Sequence, residues 1–259
     1  MNDILIIGGN RFVGKLVAKQ LYDQNYHVTV LNRAGTKPFD KCNVIKMDRY
    51  DIGSTNISPK IVIDMCAYTV NQVKNLLGSL DTSNLNQYIV ISSMASEYSF
   101  FGEYGKNKAE IELFLRFEAN IPYVILRPTY IIGKTDHHKR IDYFLNCIEN
   151  GYDLKIDGDG NEKLSFVFME DVASVINKVV QLGVVNKTYN ICNDEQISMN
   201  KLIELFFKIT GKNTSIQYQI PNSNDFKDEQ CVCSNQLTKS ELEIEFKSLE
   251  EGIREYIIS

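Results

Sequence analysis

Apolar and polar positions alternate in two rhythms along the first half of the chain. Short, nearly unbroken runs of Val, Ile and Leu are followed by longer stretches with apolar residues at helical spacing. "DILIIGG", "HVTVLNR", "NVIKMD", "KIVIDMCA", "QYIVISS" and "PYVILRP" read as strands. Between them, "RFVGKLVAKQLYDQ" carries Phe12, Leu16, Val17 and Leu21 on one helical face, and "VNQVKNLLGSL" and "YGKNKAEIELFLRFEAN" read as further helices. Pro128 closes the sixth strand. Strands without polar alternation, separated by helices, predict a parallel sheet covered on both faces. The fold class expected is therefore α/β, a Rossmann-type doubly wound parallel sheet with its ligand crevice at the strand carboxyl ends.

The second half is less regular. "YDLKIDGDGNEKLSFVF" reads as two short strands around a Gly/Asp turn, "MEDVASVINKVVQL" as a helix, and "KTYNICND" as a strand. Glu170 and Asp171 are expected to cap the first of these helices. Ser198 opens "SMNKLIELFFKITG", which Gly211 closes. The stretch "SIQYQIPNSNDFKDEQCVCSN" reads as polar and irregular, and a last helix lies near "SLEEGIREYI". This divides the chain into a dinucleotide-binding domain over 1–133 and a small α+β substrate-binding portion over 134–259, with 165–192 partly returning to the first core.

Composition changes this picture little. The 259 residues are 44% hydrophobic and 24% charged, ordinary for a globular chain, and the net charge of -5 weighs against nonspecific nucleic-acid or acidic-membrane binding. No apolar run approaches the ~20 residues of a membrane span, and Met1-Asn2-Asp3 lacks the basic start of a signal peptide, so a cytoplasmic location is expected. The six cysteines form no C-x-x-C pair, and Cys231-Val232-Cys233 has no histidine nearby, so free thiols are expected and no metal site.

Chemistry enters at "GGNRFVG". Gly8 and Gly9 permit a tight strand-to-helix turn, and Gly14 lets the helix approach the sheet, so that backbone N–H groups and the helix dipole face a pyrophosphate. Arg11 stands where the usual pattern has a second spaced glycine. At the end of the second strand, Asn32 replaces the carboxylate that NAD-binding folds use on the adenosine ribose, and Arg33 follows. Two arginines and no acid favour a 2′-phosphate, hence NADP, with NAD as the other cofactor considered.

Further on, Tyr104 and Lys108 share one helix face, where the ammonium favours the phenolate. The same spacing at Tyr130/Lys134 straddles Gly133 and does not fix a shared face. Ser92-Ser93 ends the fifth strand, where a hydroxyl holds a reacting oxygen near Tyr104.

Taken in order, "GGNRFVG", "ISS", "YGKNK", "LRPTYIIG", "DGDG", "FVFMEDVA" and "YNICNDE" resemble the extended and atypical short-chain dehydrogenase/reductases, the NAD-dependent epimerase/dehydratase family. The glycine turn looks like an atypical branch that also includes chloroplast RNA-binding relatives. The resemblance implies that Tyr104 is the general acid/base and that Lys108 holds the nicotinamide ribose while lowering the Tyr104 pKa. It gives Ser93 the substrate oxygen, with Ser92 as the fallback. It also implies that Gly8, Gly9, Asn10, Arg11, Phe12, Val13 and Gly14 wrap the cofactor phosphates and that Asn32 and Arg33 meet the adenosine ribose. Asp48 and Arg49 would flank the adenine, the Cys66-Ala67 backbone would run past the cofactor, and Pro128 would lie near the nicotinamide.

Two departures matter. The loop from Ser93 to Tyr104 is shorter than in sugar-nucleotide epimerases. Leu164-Ser165 stand where those enzymes carry the Arg-Asp whose arginine grips the substrate diphosphate, and strand alternation points Lys163 to the other face. In the basic loop "KTDHHKR", His137 and His138 are poorly placed for one metal, while Arg140 suits an anionic substrate. The expected activity is hydride transfer at a carbinol or carbonyl carbon, as a reductase or an epimerase, on a small molecule such as a sugar or nucleotide-sugar. The competing class is a catalytically idle NAD(P)-binding protein with an RNA or protein partner. The family also allows a helix-mediated homodimer.

Overall fold

The computed structural model describes residues 3–50, 57–136, 138–220 and 231–258. His137 and residues 221–230 of the polar stretch lie outside them. The chain runs β1 (Asp3–Ile7), α1 (Phe12–Asp23), β2 (His27–Asn32), β3 (Asn43–Lys46), β4 (Ile61–Asp64), α2 (Val70–Ser79) and β5 (Gln87–Ile91). Two short 3₁₀ turns, Met94–Glu97 and Ser99–Phe101, lead into α3 (Gly102–Phe117), β6 (Tyr123–Pro128) and β7 (Tyr130–Ile132). Then follow α4 (Arg140–Asn150), β8 (Leu154–Asp157), β9 (Lys163–Phe168), α5 (Met169–Leu182), β10 (Lys187–Ile191) and β11 (Gln196–Ser198). The remainder is α6 (Met199–Thr210), β12 (Ile216–Gln219), α7 (Gln236–Leu242) and α8 (Leu249–Ile258).

The central sheet is the doubly wound one expected. Its order is β10-β6-β5-β4-β1-β2-β3, with every pairing parallel. The direction of winding reverses at β1, which places the crevice at the carboxyl ends of β1 and β4. Alternation along the strands explains the two faces. Ile4, Ile6, Val28, Val30, Ile61 and Ile63 pack with Val13, Val17 and Leu21 of α1 and Val172, Ile176 and Val179 of α5. Leu5, Ile7, Val62, Tyr88 and Val90 turn the other way, to Val73 and Leu76 of α2 and Ile111, Phe114 and Leu115 of α3. A one-residue slip of any strand would exchange these faces, so the register is strongly set.

A second core gathers Phe144 and Ile148 of α4, Leu154 of β8, Leu164 and Phe166 of β9, Leu202 and Phe206 of α6 and Ile253 of α8. Here both strands around the Gly/Asp turn form, but they do not pair with each other. β8 pairs with β12, whereas β9 lies between β7 and β11. Nor do Glu170 and Asp171 cap α5: its N-cap is Phe168, without a side-chain cap, and Asp171 instead accepts a hydrogen bond from the backbone N–H of Lys247 at 3.2 Å. By contrast Ser198 does cap α6, accepting from the Lys201 N–H, and Gly211 ends it in the left-handed conformation.

Candidate functional site

The turn after β1 is shaped by what cannot fit there. Gly8 has a φ of +82°, and a Cβ on it would lie 3.0 Å from Cys66 Sγ. A Cβ on Gly14 would lie 2.8 Å from the Gly8 carbonyl oxygen, so α1 begins hard against the turn. Arg11 occupies the N-cap of α1 with an extended backbone and no side-chain cap, and the first helical turn holds no acid. The first N–H groups of α1 therefore remain available to an anion. Phe12 is held at a φ of +45°, unusual for a bulky residue, with its ring against Gly133: a Cβ there would meet Phe12 Cε2 at 2.7 Å. A cradle of this form fits the pyrophosphate of a dinucleotide. Val13, the next residue, is buried in the core behind it.

Beside the turn, Asn32 is buried and its amide is engaged with Thr36, donating to the carbonyl at 2.9 Å and accepting from the N–H at 3.2 Å. Asn10 donates to Thr36 Oγ1 at 2.8 Å. Both asparagines thus hold the loop after β2. Arg11 and Arg33 are exposed, and among the described residues neither guanidinium has a hydrogen-bond or ion-pair partner.

The Ser/Tyr/Lys residues converge at the carboxyl ends of β4 and β5. Ser92 and Ser93 point to different places. Ser92 is buried and donates to Glu112 Oε1 at 2.6 Å, within a network that includes Arg127 and Ser96. Ser93 caps the first 3₁₀ turn, its Oγ accepting from the Ala95 N–H at 3.1 Å, and its hydroxyl also meets the Tyr104 phenol. Tyr104 keeps 43% of its surface open. Close packing nevertheless raises its phenol above the ordinary 10.0, while the Ser93 contact and the nearby Arg140 charge pull it down.

Lys108 lies one turn along α3 and is 3% exposed. Its ammonium donates to the Ala67 carbonyl at 2.7 Å and the Ile91 carbonyl at 2.8 Å, and it stands 5.7 Å from the Tyr104 ring centroid and 5.2 Å from that of Tyr68. Burial pushes its pKa down to about 8. Burial thus leaves the Tyr104 phenol above its usual value rather than below it, opposite to the direction the sequence suggests.

Other residues fall differently from their sequence positions. Arg49 offers no free charge at the crevice: it is buried and bidentate to Asp64. Asp48 accepts from the Tyr50 N–H in a local turn. Cys66 lies against the glycine turn, and Pro128 is buried at the end of β6. In the second Tyr/Lys pair, Lys134 stands over the Tyr256 ring at 4.5 Å and Tyr130 packs against the Phe166 ring. Leu164 and Ser165 are buried in β9, and Lys163 is exposed. Two neighbours of the site escaped sequence reading. Tyr68 reads there as a mid-loop aromatic, and Asp64 as one polar residue ending a strand. Asp64, a carboxylate closing an otherwise apolar run, was the available signal.

A doubly wound sheet with a glycine turn at its switch point and a Ser/Tyr/Lys cluster facing it defines a dinucleotide-binding architecture. The family model for the NAD dependent epimerase/dehydratase family matches residues 4–192, and the chain belongs to that family. A trifunctional UDP-glucose 4,6-dehydratase/UDP-4-keto-6-deoxy-D-glucose 3,5-epimerase/UDP-4-keto-L-rhamnose-reductase of Arabidopsis thaliana is 27% identical over 52% of this chain, a match spanning only 20% of that protein's length. The chloroplast stem-loop binding protein of 41 kDa b, also from Arabidopsis thaliana, is 23% identical over 86% of this chain and 67% of its own. Among solved structures, the UDP-glucose 4-epimerase of Thermotoga maritima with UDP-glucose superposes with a TM-score of 0.81 at 20% identity, covering 99% of this chain and 98% of that one. No helix among the described residues is long and apolar enough to cross a membrane.

Proposed function

We propose that this protein is an NAD(P)-dependent oxidoreductase that transfers hydride at a carbonyl or carbinol carbon of a small polar molecule of the sugar type, with reduction as the favoured direction. The convergence of Ser93, Tyr104 and Lys108 beside the Gly8–Gly14 cradle carries this reading. A bound nicotinamide would supply or accept the hydride. The Ser93 hydroxyl holds the substrate oxygen, and the Tyr104 phenol donates the proton to it. The Tyr104 phenol, held above its ordinary value by burial, can give that proton but is a weaker acid than a free tyrosine until a cation comes close. Lys108, drawn from its two carbonyls toward a bound ribose, would bring its charge nearer to Tyr104 and support the base form needed for the reverse step. An epimerase uses the same groups in both directions. A substrate diphosphate would meet no cation at Leu164-Ser165, which favours compact carbonyl substrates over nucleotide-sugars.

Exposed Arg11 and Arg33, with no acid at Asn32, support NADP over NAD. A second reading draws on the stem-loop binding relative, aligned over 86% of the chain: a cofactor-binding protein whose partner is RNA. Nicotinamide oxidation, followed by absorbance against a panel of keto-sugars, UDP-sugars and simple ketones, separates the two. We expect turnover with at least one carbonyl, a loss of about 10²–10⁴ on Tyr104→Phe, and unchanged cofactor affinity. Absence of turnover across the panel, with salt-sensitive retention of stem-loop RNA, would establish the binder instead.

A further inference from the structure

A buried ion pair lies beneath the glycine turn. Asp64, the last residue of β4, is 0% exposed and Arg49 is 7% exposed. The guanidinium meets Asp64 Oδ1 at 2.9 Å and Oδ2 at 2.8 Å, and its Nη2 also donates to the Gln72 carbonyl at 3.2 Å. The Tyr88 hydroxyl donates to Oδ2 at 2.8 Å, and the Cys66 backbone N–H donates to Oδ1 at 3.2 Å. A buried ion pair is seldom more stabilising than apolar residues of the same volume. Its place in this fold therefore asks for another use, and the next residue along supplies one. Cys66 is followed by Ala67, whose carbonyl accepts from the Lys108 ammonium at 2.7 Å, opposite the Ile91 carbonyl at 2.8 Å.

We propose that the Asp64–Arg49 pair positions Lys108: by fixing the Cys66-Ala67 backbone it sets one of the two carbonyls that hold the ammonium. The pair also sets the charge around that ammonium. Facing Lys108 are Asp64 from the end of β4, Cys66 just beyond it, Arg49 from the segment after β3, Glu112 from its own helix, and the rings of Tyr68 and Tyr104. Burial disfavours the charged amine most strongly. Asp64 is the largest influence in the opposite direction, and Arg49 partly cancels it. Arg49 is thus a positioning residue acting from behind the turn, not a group offered to the adenine.

The inference gains its catalytic meaning from the function proposed above, so its test is read on Lys108 itself. The protein is labelled with [¹³Cε]lysine, Lys108 is assigned through Lys108→Arg, and its titration is followed by NMR. Asp64→Asn should lower the Lys108 pKa by about one unit. Asp64→Asn leaves a buried guanidinium uncompensated, so Asp64→Asn/Arg49→Gln, which removes both charges together, serves as the folded control. It should shift Lys108 in the same direction by less, because Asp64 outweighs Arg49. A Lys108 titration unmoved in the folded double variant overturns the proposal. If the titration moves while the alkaline limb of turnover stays in place, the positioning stands and the assignment of Lys108 to turnover falls.

Discussion

Adjacent serines at the end of β5 have separate fates because a strand turns successive side chains to opposite sides. Ser92 goes inward to the Glu112 carboxylate, which Arg127 also grips through two nitrogens. Ser93 goes to the crevice and the Tyr104 phenol. The two alanine variants should therefore fail differently. Ser93→Ala should lower kcat by about 10²-fold, in the range for losing one donor to a developing oxyanion, and cost about 1 kcal/mol of stability for the lost cap on the 3₁₀ turn. Ser92→Ala should keep kcat within about twofold and cost about 1 kcal/mol of stability, since Glu112 retains its other partners. Steady-state kinetics and thermal melts on the two proteins decide this. The reverse pattern would make Ser92 the residue that meets substrate.

At the scale of elements, α5 holds a carboxyl that its burial penalises. Asp171 is 8% exposed, and burial raises its pKa from 3.8 to about 6, against the Lys247 N–H and the Lys247 charge, which lower it. The sign follows from proton uptake. Between about pH 4 and pH 6 the folded protein binds a proton at Asp171 that the unfolded chain does not, so this group's contribution falls as pH rises through 6. A change of this size corresponds to at most ~3 kcal/mol. The helix dipole, which favours a first-turn carboxylate, offsets part of it. Asp171→Asn retains an acceptor for the Lys247 N–H, so it should stabilise the protein by about 1–2 kcal/mol at pH 7.5 and flatten the pH dependence of unfolding between pH 4 and 6. Urea melts across that range would show it. An Asn variant less stable at pH 7.5 would mean that the dipole and the charge of Lys247 outweigh burial.

The same scale shows what the sequence made legible. Each strand of the central sheet up to β6 is a Val/Ile/Leu run, and the face alternation of Ile4/Ile6 against Leu5/Ile7 follows from period alone. Tyr104 and Lys108 were readable because helical spacing puts them on one face. Helix α4 was also readable in principle, with Ile141, Phe144, Cys147 and Ile148 buried at helical spacing, but the basic run before it reads as loop and masks its start. Strands β7 and β11 are three residues long, too short for any period, and exist through pairing with β9. The Arg49–Asp64 pair was beyond local reading, because the partners are 15 residues apart and meet only when β4 is seated in the sheet.

For the molecule as a whole, the question is how a chain of net charge -5 presents itself to an anionic cofactor. Arg11 and Arg33 are exposed close to the glycine turn, where the N-terminus of α1 carries no side-chain cap, so positive potential is focused where the overall charge would repel. The family description names NAD, and a cofactor without the 2′-phosphate would draw little from these arginines. NADPH at 100 times its dissociation constant should add about 2.7 kcal/mol. For a chain of this size that corresponds to a rise in melting temperature of about 5–10 °C. NADH at the same concentration should give a clearly smaller rise, since each tenfold loss of affinity removes about 1.4 kcal/mol for as long as the ligand stays well above its dissociation constant. Arg33→Glu should then reverse the order, because a carboxylate beside Asn32 repels the phosphate and accepts from the ribose hydroxyls. Equal shifts with both cofactors in the parent protein would make the two arginines solvated charge, and the NAD of the family description would be the cofactor of this chain as well.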